Sequence, residues 1–305
     1  MWHETIAEQQ RESATASLVV LLPWIRFLHS DSWGRMLKTV AFQRQYIKDE
    51  YLRAASAFSP DSKPDSFIGA MIAAKREAES EANWMTPFLK QDNLLNVVSD
   101  LFLAGTGTLV WSLRWILLFM SRYPQLQERM RAQADGASLS ADSSVQRSEC
   151  PLISAFIHEC LRLRPPAPLG IAHKALVDEE IGGHRVPAGT AVIVLLTEVL
   201  SGKREWQDPE SFRPERFLDP DGGFVPKPNR FFVPFSDGRR SCPGERLALH
   251  TLFLVVAHLL RRTTSIQVEG GVTEEHMRGD PTKAGGLAPP PYFLRLSLRS
   301  CADKE

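Results

Sequence analysis

No proline interrupts the chain between Asp92 and Tyr123, and most of that stretch is a predominantly apolar run from Leu94 to Met120. Only a helix absorbs so long a segment as regular structure. At 1.5 Å rise per residue, roughly 30 residues reach about 45 Å, enough to cross a whole domain. Asp92 or Asn93 can cap the start and Pro124 closes the end, which places a long central helix at about 92–122. Asp100, Arg114 and the two glycines Gly105 and Gly107 lie within it, so it is expected to be a long buried helix rather than a membrane span.

Proline and glycine set the boundaries that follow. A charged helix is expected from Gln125 to Ala134, then a polar Gly/Ser-rich loop from Asp135 to Ser148. Pro151 opens a helix at about 151–164, which Pro165 and Pro166 end. Beyond it the period changes. Glu180 to Leu196 is expected to form a hairpin turning at Gly182-Gly183, with Thr190 to Leu196 as a β-branched buried strand. Trp206 to Pro243 is rich in Pro, Phe and Arg, with little periodicity. A second strong helix runs from Gly244 to about Arg261, a loop from Gly270 to Pro291, and a final strand from Tyr292 to Leu298. With no internal repeat and no second core after a linker, the expectation is one domain over residues 1–305, mainly α with small peripheral β-sheets.

Composition excludes several classes of function. The 36 Lys+Arg balance 36 Asp+Glu, so there is no general attraction to nucleic acid, and 43% hydrophobic residues exclude a disordered chain. The four cysteines, Cys150, Cys160, Cys242 and Cys301, are too sparse and uneven for a disulfide framework or a paired-cysteine zinc site. A reduced, intracellular-facing chain is expected. The opening MWHETIAEQQRE is polar where a secretory signal needs a basic and then an apolar run, so no signal is expected. Leu18 to Leu28, broken by Pro23 and Arg26, is expected as a core or interfacial segment.

The most informative ten residues are Phe235-Ser-Asp-Gly238-Arg-Arg240-Ser-Cys242-Pro-Gly244. Gly238 and Gly244 permit a sharp turn and close approach to a large planar ligand. The apolar run Leu247, Leu249, Leu252, Phe253 then starts a packed helix. A cysteine at a helix N-terminus beside Arg240 has its thiolate favoured by dipole and charge, and a thiolate is a soft metal ligand. The plainer alternative is an inert buried cysteine in a basic loop.

This segment resembles the cysteine loop of the cytochrome P450 family, FxxGxRxCxG, at all five fixed positions. The resemblance implies that Cys242 is the axial thiolate of a haem iron and that Arg240 pairs with a haem propionate. It also implies that Phe235, Gly238 and Gly244 shape the surface against the cofactor. Two further segments match. Glu159-Cys-Leu-Arg162 places an acid and a base on one helix face, and Phe212-Arg-Pro214-Glu-Arg216-Phe217 is similar to the family's FxPxRF motif. Glu159, Arg162 and Arg216 thereby resemble a buried structural triad that locks the cysteine-side loop onto the helix.

Within the long helix, Ala104-Gly105-Thr106-Gly107-Thr108 contains two glycines, each costing roughly 1 kcal/mol relative to Ala. Close helix packing is one explanation. The resemblance implies another: a groove over the haem at Ala104 and Gly105 where dioxygen binds, with Thr108 helping to deliver protons. The family's usual acid is absent, its place taken by Gly107. Pro168 to His173 resembles the segment beside the haem, which implies a propionate contact for His173. Leu103, Ala104, Leu169, Ile171 and Leu287 are expected as apolar pocket walls, and His250 and His258 as core or interface residues.

The resemblance runs from about Pro23 to Leu298 and is nearest to microsomal animal enzymes. It implies an amino-terminally truncated cytochrome P450 fold, lacking the anchor, the first helices, most of the small sheet and one propionate-binding helix. The function it implies is a monooxygenase inserting one oxygen atom from dioxygen into a lipophilic xenobiotic, steroid or fatty acid. Electrons would come from NADPH through a reductase. The full-length relative would sit on the cytoplasmic face of the endoplasmic reticulum membrane. Two alternatives remain open: a haem-thiolate isomerase or dehydratase, and a non-catalytic fragment. By itself the chain is expected to hold little haem and to be a poor enzyme.

Overall fold

A computed structural model describes residues 30–59, 63–138, 145–279 and 288–299. The segment Leu18 to Leu28, Leu287 and Cys301 lie outside the described residues. The chain divides into two compact units, Met1–Gly107 and Thr108–Glu305.

The first unit holds helices α1 (Ser30–Ala57) and α2 (Phe67–Glu81) and the beginning of α3 (Gln91–Arg122). Its core is Ile47, Tyr51, Ile72, Leu94 and Leu95. Neither α1 nor α2 has a counterpart in the sequence analysis. In α1 the buried stripe is Thr39, Gln43, Ile47 and Tyr51 at four-residue spacing. Two of those four are polar, so hydrophobic periodicity does not reveal the helix. A signal for α2 does exist: the Ser66 hydroxyl caps it by accepting from Gly69 N–H at 3.1 Å, and Ile68 and Met71 pack beside Ile72.

In the second unit α3 ends at Arg122 and Pro124 opens α4 (Pro124–Gly136). A short 3-10 turn (Arg147–Glu149) leads to α5 (Pro151–Leu163), which is buried on every side from Leu152 to Arg162. Then come β1 (His173–Lys174), β2 (Glu179–Ile181), β3 (His184–Val186), β4 (Ala191–Val192), α6 (Leu196–Ser201), α7 (Glu245–Arg262), β5 (Thr263–Val268), α8 (Glu274–Arg278) and β6 (Leu294–Leu298). All sheets among the described residues are two-stranded and antiparallel: β1 with β4, β2 with β3, and β5 with β6. The main core packs Trp115 to Met120 of α3, Met130 of α4, Phe156 and Leu161 of α5, and Phe253 and Val256 of α7.

Several sequence expectations need correction. The hairpin does turn at Gly182 and Gly183, whose φ angles are +59° and +82°, but it ends at Val186. Thr190 to Leu196 is not a buried strand. Only Ala191–Val192 pair, with His173–Lys174, and Ile193, Val194 and Leu195 are exposed because no second layer of described residues covers them. The long helix is buried at Leu94 and Leu95 near its start and from Trp115 to Met120 near its end, apart from a half-buried Leu117, while Val97 and Val110 between them are exposed. By length and composition alone it is also apolar enough to cross a membrane. Asn93 lies within its first turn and donates its amide to the Phe88 carbonyl at 2.9 Å, so it is not the cap. His250 is exposed and His258 half-buried, so neither belongs to the core, and Leu247 is exposed at the start of α7.

Strand β5 also had no counterpart. Its edge away from β6 is covered by helix side chains rather than by another strand. The Gln127 amide accepts from Ile266 N–H and donates to Ile266 C=O, both at 3.0 Å, and Ser121 Oγ accepts from Val268 N–H at 2.8 Å. Arg131 Nε donates to Thr263 C=O at 2.9 Å. These bonds satisfy backbone groups that burial would otherwise leave unpaired.

Candidate functional site

The most completely bonded polar cluster sits at the end of α5. Glu159 Oε2 accepts from Arg162 Nε at 2.8 Å, and Oε1 accepts from Arg162 Nη2 at 2.8 Å, Arg213 N–H at 2.9 Å and Arg216 Nε at 3.3 Å. The remaining guanidinium donors reach backbone carbonyls: Arg162 those of Leu200 and Pro209, and Arg216 those of Gln207 and Asp208. Arg162 also lies over the Trp206 ring, 5.1 Å from its centre. Every group of the carboxylate and of the two cations has a partner, which is the condition under which burying such charges is tolerable. The cluster fastens the chain from Leu200 to Phe217 onto α5. The backbone donor at Arg213 is invisible to motif reading, because a backbone contact leaves no residue signature.

Further along, Phe217 and Phe232 pack with Trp206, Leu196 and Leu200 in a second small core, and Phe235 rests against the main one. The loop leaves from there. Ser236 takes a φ of +64° and Gly238 one of +76°, and the turn Gly238–Arg240 is followed by Cys242, whose N–H donates to Phe235 C=O at 2.9 Å. This bond closes the loop on itself. Gly244 has an ordinary φ of −88°, so the left-handed freedom is needed at Gly238 and not at Gly244. A Cβ on Gly244 would lie 3.7 Å from Cys242 Sγ, an ordinary contact.

Cys242 is exposed, whereas Cys150 and Cys160 are buried. Burial pushes the Cys150 thiol up to about 11 and the Cys160 thiol well above the usual range, which leaves both inert at neutral pH. The inert buried cysteine therefore describes Cys150 and Cys160, not Cys242. Arg240 is exposed beside it and makes no ion pair or side-chain hydrogen bond among the described residues. An exposed sulfur two residues from an arginine with no partner among the described residues can bind a soft metal together with an anion.

The other sequence candidates lie on different elements. His173 is exposed on β1, opposite Val192, and its ring has no hydrogen bond among the described residues. Gly170, at φ +58°, carries the preceding turn, and a Cβ there would meet Val194 C=O at 3.4 Å. Leu169 and Ile171 are exposed rather than enclosed, and Leu103 is half-buried. Ala104 and Gly105 belong to the first unit, and Cys242, Arg240, His173 and Thr108 to the second. Thr108 and Ala104 are exposed on α3, and among the described residues a Cβ on Gly105 would meet nothing within 4 Å, so close packing against those residues does not account for Gly105. A separate cleft of about 410 Å³ opens between α4 and β5, but its floor is the bonded Gln127–Arg131 network and none of the candidates lines it.

Comparison with known proteins bears on these features. The family described as Cytochrome P450 matches residues 4–295. Steroid 17-alpha-hydroxylase/17,20 lyase of Ictalurus punctatus is 34% identical over 296 residues, covering 96% of this chain and 57% of that protein. The same enzyme of Squalus acanthias is 31% identical over 297 residues, with 96% and 57% covered. Cytochrome P450 2K1 of Oncorhynchus mykiss is 33% identical over 286 residues, covering 92% and 55%. The chain thus spans about 57% of the length of the first of these relatives. With a family match over nearly its whole length, a mainly α architecture and small antiparallel sheets, the chain belongs to the cytochrome P450 family and has its fold.

Proposed function

We propose that the chain is the haem-thiolate part of a monooxygenase that oxidises a lipophilic small molecule, with a steroid as the first substrate class to test. The observation that carries the reading is Cys242: an exposed sulfur on a self-closed loop, two residues after an arginine, Arg240, that has no ion pair among the described residues. The donor chemistry fits a porphyrin-held metal. Among the described residues no three His, Cys, Asp or Glu side chains converge on a metal site, so a metal at Cys242 would take its other ligands from outside the side-chain set. Steroid as a substrate class is supported by the relatives named as steroid 17-alpha-hydroxylase/17,20 lyase.

In this reading Cys242 holds the iron, and Arg240 and His173 offer donors to the propionates. Bound haem would supply dioxygen activation, favoured by electron donation from the thiolate. Phe235 and Gly238 shape the loop against the ring, and Gly105 leaves the face of α3 open beside Ala104. Thr108 holds a hydroxyl on the exposed face of α3, where it would pass protons inward through water, since Gly107 carries no acid. The Glu159–Arg162–Arg216 cluster does no chemistry; it holds the chain that leads into the loop. Electrons would arrive from an NADPH-dependent reductase at the endoplasmic reticulum membrane.

The test is spectroscopic and then catalytic. The fraction of purified chain that takes up haem should give a reduced carbon-monoxide adduct with the red-shifted thiolate-type band, lost in Cys242→Ala and kept in Cys160→Ala. With reductase, NADPH and a steroid that fraction should yield an oxygenated product, slowly, given how little haem the chain is expected to hold. Product formed without NADPH would make it an isomerase or dehydratase, and failure to retain haem would leave a non-catalytic chain.

A further inference from the structure

We infer that His158 is an acid-sensitive keystone: a proton on its ring drives it out of the cage formed by Phe217, Phe224 and Phe232 and loosens the chain from Phe217 to Phe235. Only its extension to Cys242 rests on the proposed haem-thiolate function.

His158 is 2% exposed, in the middle of α5. Its Nδ1 lies 2.8 Å from the Ser154 carbonyl, so the neutral ring with its proton on Nδ1 donates there. The ring stacks on Phe232 with centres 5.4 Å apart, meets Phe224 edge-on at 4.7 Å and leans on Phe217 at 5.6 Å. These three phenyl rings come from separate parts of the irregular chain. Phe217 ends the Pro214–Phe217 turn beside Arg216, Phe224 closes a bridge with Leu218, and Phe232 stands three residues before Phe235. One imidazole therefore joins α5 to both flanks of the segment that runs into the cysteine loop.

Among the described residues the surrounding charges give an imidazolium no counterion. From the Arg147–Glu149 turn, Arg147 donates to Ser154 Oγ at 3.2 Å and lies 5.8 Å from the Phe224 ring, where it repels a second cation. From α5 itself, both Glu159 oxygens are taken by Arg162, Arg213 and Arg216. On the Pro214–Phe217 turn, Glu215 pairs with Arg129 at the surface, and Arg216 is held by Glu159. Beside Phe224, Asp219 accepts from the backbone of Asp221 and Gly223. Beside Phe232, Arg230 lies over Phe231.

Burial, reinforced by Arg147 against the pull of the Ser154 carbonyl, lowers the His158 pKa to about 4. An opened ring titrates near 6.5. The folded pKa is depressed, so the closed cage is favoured in full above about pH 6.5. Between about 6.5 and 4, each unit of acidification favours opening about tenfold.

Hydrogen exchange on the full chain tests this without haem. The Val225, Phe232 and Ser236 amides, bonded to Phe217, Asn229 and Val233, are the reporters. After correction for intrinsic rates, their exchange should rise about tenfold per pH unit from 6 to 5, relative to amides of α7, and stay flat in His158→Gln and His158→Phe. A flat wild type, or the same slope in both variants, overturns the inference. Should the variants unfold, the wild-type imidazole resonance decides: titration near 4 upholds the inference and titration at or above 6 overturns it. In haem-loaded chain the thiolate-type band should fade over the same window. A band that survives while the amides open would cut the link to Cys242 and leave the keystone standing.

Discussion

Glu159 and Arg162, three residues apart on α5, meet through two parallel bonds of 2.8 Å with both side chains fully buried. The pair is closed off by Arg216, 8% exposed, whose own pKa burial lowers. Such a cluster is costly to build and more costly to break.

Glu159→Gln keeps the shape but leaves two cations facing a neutral amide. We expect a loss of roughly 3–5 kcal/mol, against less than about 1 kcal/mol for Glu215→Gln at the exposed pair with Arg129. Urea denaturation of the two variants checks it. Equal midpoints would show that the cluster holds nothing together.

Cysteine reactivity should follow exposure. In native chain, iodoacetamide at pH 7.5 should modify Cys242 and spare Cys150 and Cys160, whose thiols burial pushes far above that pH. Peptide mass spectrometry reads the sites, and denaturant should expose all three. Native labelling of Cys160 would contradict its burial.

Gly105→Ala tests the packing explanation. A Cβ there meets nothing within 4 Å among the described residues, so the chain without haem should gain up to about 1 kcal/mol from helix propensity. Thermal unfolding measures this, and a lower midpoint would restore the packing explanation.

Tyr292 gives an alkaline signature. Its hydroxyl donates to the Arg114 carbonyl, and burial raises its pKa to about 12. The folded value lies above the ordinary value of about 10, so its contribution is complete below pH 10 and is lost as pH rises toward 12. The full loss is on the order of 2 kcal/mol. The stability difference between wild type and Tyr292→Phe should shrink across that range. A difference independent of pH would place the phenolate in solvent.

Local rules determined much of this chain by themselves. Pro124, Pro151 and Pro165 end or open helices because proline lacks a donor and fixes its φ, and Gly182-Gly183 turns because both residues need positive φ. The cysteine loop was legible for the same reason, since Gly238 and Cys242 sit close in sequence and the loop bonds to itself. Tertiary structure decided the rest, because burial depends on partners far along the chain. Ile193 to Leu195 look like a core strand and lie exposed, while Thr39 and Gln43 look like surface and are buried. β5 exists only because β6 and the side chains of Ser121, Gln127 and Arg131 satisfy its two edges. Of the six histidines among the described residues, the buried one could not be picked from sequence. The cage round His158 is assembled from Phe217, Phe224 and Phe232, 59 to 74 residues downstream, and only packing brings those rings to one point.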